Sequence, residues 1–203
     1  MFPILETDRL ILRQITDQDA EAIFACFSND EVTRYYGLEN MESIEQAISM
    51  IQTFAALYQE KRGIRWGIER RDTKELIGTI GFHALAQKHR RAEIGYEIIP
   101  AHWRNGFASE VISKVVSYGF SALGLTRIGA VVFTANEASN RLLLKMGFQK
   151  EGVLRQYMYQ NGTPYDTNVY SIVKPRECRH SLGLCAHPFS FKKIKNALKQ
   201  GAF

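Results

Sequence analysis

Residues 92–111 read AEIGYEIIPAHWRNGFASEV, and they carry the clearest structural signal in the chain. Its first eight residues are rich in β-branched and aromatic side chains and stop at Pro100, which is typical of a β-strand because proline cannot donate to a sheet ladder. From Ser109 onward, apolar side chains recur every three or four residues, which is typical of an amphipathic helix. The stretch therefore predicts a strand, a short loop and a helix.

The loop, Trp103 to Ala108, has little side-chain bulk where the helix is expected to begin. Gly106 and Ala108 lie two residues apart in it. The first backbone N–H groups of a helix have no intrahelical acceptor, and the helix dipole adds positive potential there. Phosphate groups bind at such helix starts. The residues predict an anion-binding cradle, although an ordinary structural turn has the same pattern and stays open as the alternative.

Length and composition indicate one globular domain. The chain has 203 residues, 45% of them hydrophobic, which is enough for one core. No apolar run is long enough to span a bilayer, and the N-terminus lacks the apolar centre of a signal peptide. Three cysteines, unevenly placed, do not make a disulfide framework. We therefore expect a cytoplasmic protein with no membrane partner.

The net charge of +5 belongs to the C-terminal end of the chain. Residues 176–203 contain six lysines and arginines but only one acidic residue, whereas the preceding 175 residues are neutral. The basic isoelectric point therefore describes a tail and gives no reason to expect a nucleic-acid partner. The neutral body offers no charge preference that would identify a substrate.

Periodicity and turn signals set out the other elements. They predict a strand, two helices, three strands, the cradle helix, a strand, a short helix and two final strands. Thr16 and Ser43 each begin a capping-box sequence at the start of a helix. Asn161-Gly162 is a strong signal for the last hairpin.

The loop resembles the acetyl-CoA-binding motif of the GNAT N-acetyltransferases, Gln/Arg-x-x-Gly-x-Gly/Ala. Trp103 stands at the first position, which departs from the general pattern but is similar to the branch that acetylates ribosomal-protein N-termini, the RimJ/RimL type. The resemblance extends from Leu5 to about Lys174, so we expect a domain at 5–174 and a basic tail at 175–203. It implies the GNAT fold, an α/β (α+β) architecture with a mixed twisted sheet of about seven strands and helices on both faces.

The resemblance also implies that acetyl-CoA is the cosubstrate. In that case the strand edge near Ile98 and Ile99 pairs with the pantetheine arm, and one of their N–H groups stabilises the oxyanion. The backbone amides of the loop and first helical turn are then expected to hold the pyrophosphate. These residues are Arg104, Asn105, Gly106, Phe107, Ala108 and Ser109.

Acetyl transfer from a thioester to an amine requires a base, an oxyanion donor and a group that assists the leaving thiolate. For the base, the run around Glu93 resembles the histone-acetyltransferase branch, where a glutamate deprotonates the lysine. Glu97 lies four residues further on the same strand face and is the competitor. The alternative is that either glutamate is a solvated sheet residue that only makes cross-strand pairs.

The group that assists the thiolate is less evident. Many GNAT members use a tyrosine at a position that is Leu143 here. The RimJ/RimL branch has Asn-x-x-Ser-Asn, present as residues 136–140, so Ser139 becomes the expected donor to the sulfur. Asn136 is expected to bind the pantetheine amides, with Asn140 as a further contact. Ser139 could instead satisfy backbone donors at its helix start.

The resulting expectation is an acetyl-CoA-dependent N-acetyltransferase that acts by direct attack in a ternary complex. The branch implies a protein N-terminal α-amine as acceptor. A small-molecule amine such as an amino acid, polyamine or aminoglycoside is the alternative, followed by a non-catalytic acyl-CoA-binding module. The acceptor pocket is expected between the first two helices and the last hairpin. Candidates to line it are Tyr35, Tyr36, Trp66, Tyr157 and Tyr159.

The tail lies beyond the resemblance. Cys178, His180, Cys185 and His187 are residue types that bind zinc, but their spacing matches no common zinc motif, so we expect no metal. Apolar residues between Phe189 and Phe203 are expected to dock on the domain or on a second subunit. The sequence therefore does not exclude a homo-oligomer.

Overall fold

A computed structural model describes residues 1–175. The expectations for the tail, the Cys/His cluster included, therefore lie outside the described residues. Within residues 1–175, no helix is both long and apolar enough to cross a bilayer.

The described chain forms one mixed sheet of eight strands in the order β1-β2-β3-β4-β5-β6-β8-β7. All neighbouring strands are antiparallel except β5 and β6, which are parallel. The strands are β1 (Leu5–Glu6), β2 (Leu10–Gln14), β3 (Ile64–Arg70), β4 (Leu76–Ala86), β5 (Arg91–Ile98), β6 (Arg127–Phe133), β7 (Gln149–Gln160) and β8 (Thr163–Val173).

Five α-helices connect these strands. They are α1 (Ala20–Phe27), α2 (Asp30–Thr33), α3 (Ile44–Gln59), α4 (Phe107–Ser121) and α5 (Glu137–Lys145). The apolar stripe of α4 packs on one sheet face around Trp66 and Ile80, and the inward residues of α1 and α3 form a second cluster on the other face. The predicted arrangement of helices on both faces is confirmed.

Two details of the prediction differ from the structure. The opening strand is broken by a turn at residues 7–9, where the Thr7 hydroxyl accepts a hydrogen bond from the backbone N–H of Leu10. The sheet therefore has eight strands instead of about seven. The chain after α1 also forms the short helix α2, where the Asn29 side chain accepts the backbone N–H of Glu31. An Asn side chain that accepts a backbone N–H of the following turn is a favourable N-cap.

The predicted capping boxes and the predicted hairpin turn are confirmed. Both predicted capping boxes are present, at Thr16 and at Ser43. Asn161 and Gly162 both adopt positive φ, 49° and 72°, as a two-residue hairpin turn requires. They join β7 and β8 in the register that pairs Gln160 with Thr163.

The parallel pair β5–β6 is the feature that positions the site. Its register covers only the three residues at the start of each strand, from Arg91 opposite Arg127 to Glu93 opposite Gly129. Beyond Glu93, β5 stays paired with β4 as far as Ile98, and β6 stays paired with β8 as far as Phe133. The two strands therefore diverge, and a wedge-shaped gap opens toward the end of β5 that leads into α4.

Candidate active site

The wall of the gap formed by β5 carries unpaired backbone groups. Ile99 donates its N–H to Ile77 on β4, and in an antiparallel ladder such bonding alternates along the strand. The N–H and C=O groups of Ile94, Tyr96 and Ile98 therefore point away from β4 and toward the gap, and of these groups the Ile98 C=O accepts a hydrogen bond from the Trp103 indole. An extended amide-containing ligand can bind to this edge in place of the missing strand.

A cavity of about 540 Å³ occupies the gap and continues onto the sheet face covered by α3. Residues from β3 to β6 form its floor, and α3, the segment after α2, the start of α5 and β7 form its sides. The lining includes Arg65, His83, Glu93, Tyr96, Asn136, Ser139 and Met158. Glu93 and Ser139, the two expected catalytic residues, thus line the same cavity.

The predicted cradle lies at the start of α4, close to the end of β5. Gly106 is the N-cap residue with φ of 78°, a left-handed conformation that favours glycine. Arg104 is also left-handed, with φ of 62°. These turns leave the amides of residues 107–109 at the free N-terminus of the helix. A methyl group added at Gly106 would meet only the Arg9 guanidinium, at 3.6 Å, so the space above the loop is open and beside a cation. This geometry fits a phosphate group.

Arg9 was not anticipated from the sequence. Its Nη1 donates to the Asn105 carbonyl at 3.0 Å, and its Nε donates to Glu110 Oε2 at 2.8 Å. Burial disfavours ionisation of Glu110, but hydrogen bonds from Thr7 and Arg9 outweigh it and hold the pKa of the carboxyl below its ordinary value. Arg9 thereby ties the β1–β2 turn to the cradle. Nothing in the local sequence indicates a contact across about 100 residues.

The two strand-end residues differ in what they can bind. The Trp103 indole donates to the Ile98 carbonyl at 2.5 Å, which occupies that acceptor and leaves the Ile98 N–H directed into the gap. The Ile99 N–H is already bonded to Ile77 at 2.9 Å. Of the two expected oxyanion donors, the geometry therefore supports Ile98 and not Ile99.

Glu93 is half-buried and faces His83 on β4. Their Oε2 and Nε2 atoms lie 3.5 Å apart. The hydrogen bond from His83 holds the pKa of Glu93 below its ordinary value, with the charges of Arg91 and Arg127 acting in the same direction against desolvation. Glu93 is thus an ionised carboxylate at neutral pH, and a weak base.

Glu97 is bound in a buried ion pair. Arg65 contacts both carboxylate oxygens and also donates to Thr79 Oγ1 at 2.6 Å and to the Gly95 carbonyl at 3.0 Å. The Glu97 side chain is only 4% exposed, and Thr79 Oγ1 also bonds to it. Burial disfavours the charged form of Arg65, but the neighbouring charge of Glu97 outweighs this effect and raises the pKa of Arg65. A carboxylate so fully occupied is not available as the competing base.

Ser139 lies in the first turn of α5, behind the N-cap residue Asn136. The Asn136 side chain accepts the Ser139 N–H at 3.1 Å, so the serine hydroxyl is not needed to cap the helix. Ser139 Oγ instead lies 2.9 Å from the phenol oxygen of Tyr96 on β5. Burial raises the pKa of Tyr96 to about 12. Tyr96 was missed in the sequence because no motif joins it to residues 136–140.

The Asn140 side chain is fully used in hydrogen bonds within the fold. It is buried, and its amide nitrogen donates to the carbonyls of Phe133 and Asn136 at 3.0 and 2.6 Å. Its oxygen accepts from Asn168 and Tyr170 on β8 at 2.8 and 2.7 Å. These bonds fasten α5 to the sheet and leave no side-chain group for the expected cofactor contact.

The aromatic residues considered for the acceptor pocket divide into two groups. Tyr35, Tyr36 and Tyr157 line the cavity. Trp66 is fully buried in the core beneath α4, where its indole donates to the Pro3 carbonyl, so its placement at the pocket was wrong. Tyr159 is 62% exposed and lies outside the lining.

Comparison with known proteins agrees with this geometry. Residues 9–149 match the family described as the acetyltransferase (GNAT) domain. The Bacillus subtilis protein named uncharacterized N-acetyltransferase YoaA is 98% identical over 177 residues, which cover 87% of this chain and all of that protein. The ribosomal-protein-serine acetyltransferase of Escherichia coli is 28% identical over 131 residues, or 64% of this chain and 72% of that protein.

A solved structure with the same fold contains CoA. It is the spermidine N-acetyltransferase of Vibrio cholerae in complex with CoA and spermine, with a TM-score of 0.73 and 26% identity over 82% of this chain and 96% of that one. The expected family, fold and cosubstrate are thereby confirmed. The chain belongs to the GNAT family and is an acetyl-CoA-dependent N-acetyltransferase.

Proposed function

We propose that the chain acetylates the α-amine of a protein N-terminus by direct attack on acetyl-CoA in a ternary complex. The amine nitrogen forms a bond to the acetyl carbon, the carbon–sulfur bond breaks, and the sulfur leaves with the electron pair. The proton lost by the amine passes to Glu93, directly or through water. The Ile98 N–H stabilises the oxyanion, and the Ser139 hydroxyl donates a hydrogen bond to the sulfur.

Support for the donor side comes from the open cradle and the free strand edge. The pyrophosphate lies against the amides of residues 104–109, beside Arg9. The pantetheine arm follows the unpaired edge of β5, with Asn136 available for its amides because that side chain lines the cavity. The thioester then reaches the part of the gap between Glu93 and Ser139.

The charge of the cavity carries the proposal for the acceptor. Among the described lining residues, Glu93 is the only carboxylate, and Arg65 and His83 are also present. A polyamine with several positive charges would need more acidic partners. A weak base also suits an α-amine, of which roughly a third is neutral at pH 7.5, against roughly one in a thousand for a lysine-type amine. The E. coli relative named for a ribosomal protein's serine supports the same class.

The acceptor class is tested by thiol release from acetyl-CoA with matched amines. One peptide that begins with serine is compared with the same peptide blocked at its N-terminus but carrying a lysine, with free amino acids and with spermidine. We expect the free α-amine peptide to give the highest kcat/KM. Faster turnover of spermidine, or peptide turnover that survives the block, would contradict the proposal.

Gly106→Val is expected to weaken acetyl-CoA binding on the order of tenfold or more. A β-branched side chain at φ of 78° strains the loop and intrudes where the phosphate oxygens approach the amides. Calorimetric titration with acetyl-CoA measures the loss. The control is Gly124→Val, because Gly124 has a similar φ of 65° beyond the other end of α4, with open space around it. Equal affinities in both folded variants would contradict the placement of the cofactor.

A further inference from the structure

The Tyr96 phenol and the Ser139 hydroxyl form a pair inside the cavity. Their oxygens are 2.9 Å apart although the residues are 43 positions apart, and both side chains line the cavity wall near Asn136. Tyr96 is on β5, the strand whose edge faces the expected path of the thioester. Ser139 is on α5, across the gap. The pair therefore bridges the two sides of the wedge.

Relative acidity favours one direction for this hydrogen bond, in which either hydroxyl has a proton to donate. A phenol is much more acidic than an aliphatic alcohol, so it is the better donor, and the serine oxygen is the better acceptor. Because the Asn136 side chain already accepts the Ser139 N–H, the serine oxygen is not needed as a capping acceptor and is free to accept from the phenol. When the phenol donates, the serine's own proton must point away from Tyr96, and the cavity is the open direction.

We propose that Tyr96 is a positioning residue that fixes the Ser139 hydroxyl with its proton directed at the thioester sulfur. This inference rests on the proposed role of Ser139. It gives the chain a tyrosine for the leaving group although Leu143 replaces the usual one: here the phenol comes from the sheet and acts through a serine. The chain of two donors, phenol to serine to sulfur, is stronger than a lone serine because aligned hydrogen bonds polarise one another.

No proton needs to leave either hydroxyl. As the carbon–sulfur bond breaks, negative charge develops on sulfur, and the two hydrogen bonds shorten and stabilise it. Thiols ordinarily titrate near pH 8.5, so CoA can leave as the thiolate and take a proton from solvent. With a pKa of about 12, the Tyr96 phenol stays protonated and remains a donor throughout the working range.

The test is a double-mutant cycle with Tyr96→Phe, Ser139→Ala and the double variant, measured with the best amine found for the wild type. We expect kcat to fall roughly tenfold for Tyr96→Phe and on the order of a hundredfold for Ser139→Ala. The double variant should equal Ser139→Ala, because the phenol acts only through the serine. KM for acetyl-CoA should change less than kcat. Tyr118→Phe is the control, since it removes the same hydroxyl from a tyrosine that packs on Trp66 in the core.

The pH profile tests whether the Tyr96 phenol keeps its proton and acts as a hydrogen-bond donor, or gives the proton up as a general acid. The ratio of wild-type to Tyr96→Phe kcat should stay constant from pH 7 to 10, because the phenol does not ionise there. A second measurement needs no Tyr96 variant: uniform 3-fluorotyrosine, whose phenol is a stronger donor, should change kcat of the wild type but not that of Ser139→Ala.

Multiplicative losses in the double variant, wild-type activity in Tyr96→Phe, or equal fluorotyrosine effects in both proteins would overturn the inference. None of these results depends on which amine is acetylated. If the wild type prefers spermidine to the peptide, the acceptor proposal fails and the cycle is run with spermidine. If the peptide is preferred but the losses in kcat of the two single variants multiply in the double variant, only the role of Tyr96 fails.

Discussion

Replacing Glu97 with alanine is expected to lower the free energy of unfolding by about 3–5 kcal/mol. The loss is large because the Arg65 side chain, which is only 11% exposed, would remain charged inside the protein without its counterion. Chemical denaturation followed by circular dichroism measures the change. Exchange of both residues, as Arg65→Met with Glu97→Leu, should cost much less, because it removes both charges together.

The control for this loss of stability is a solvent-exposed ion pair of the same protein. Glu137 and Arg141 bond to each other on the surface of α5, and both side chains are 77% exposed. Glu137→Ala should change the unfolding free energy by less than about 1 kcal/mol. If Glu97→Ala costs no more than Glu137→Ala, the buried pair does not hold β3 to β5 as the structure indicates.

Glu93→Gln is expected to lower kcat/KM near pH 7 on the order of a hundredfold, with acetyl-CoA affinity nearly unchanged. The pKa of Glu93 is lowered, so the wild-type carboxylate remains the basic form as pH falls through the range where an ordinary glutamate would take up a proton. The acidic limb of the wild-type profile should therefore follow the amine. The loss in Glu93→Gln should shrink as pH rises above the pKa of the acceptor, because the free amine then forms without a base.

Rate profiles from pH 6 to 10 for the wild type and Glu93→Gln provide the measurement. Glu21→Gln is the control, since Glu21 is an exposed residue of α1 that does not line the cavity. Profiles that overlay would mean that Glu93 is a structural residue and that a chain of water molecules accepts the proton.

The sequence was most informative where the determinants are local. Caps, the Asn161-Gly162 turn and the strand-loop-helix at 92–111 depend on neighbours within a few residues, and each appears where it was expected. The resemblance then supplied the mixed sheet with helices on both faces and the general position of the site. The break in the opening strand was missed because it depends on a single threonine hydroxyl that closes a turn.

The roles of individual side chains were harder to predict because they depend on contacts across the sheet. Glu93 and Glu97 share a strand and a face, yet one faces the cavity beside His83 and the other is enclosed by Arg65. Asn140 and Asn136 share a motif, yet only Asn136 faces the cavity. These differences come from partners 10 to 32 residues away, and no local pattern in the chain reports them.

The brief pairing of β5 with β6 has a consequence for how such a protein can change over evolution. The cradle lies between β5 and α4, whereas one wall of the cavity belongs to β7, through Tyr157 and Met158. Since the two halves of the sheet meet over three residue pairs, substitutions in the half formed by β6, β7 and β8 can reshape this wall while the half formed by β1 to β5 keeps its geometry. The fold thus separates the part that must be preserved from the part that is free to diversify, which is consistent with one architecture serving relatives named for a ribosomal protein and for spermidine.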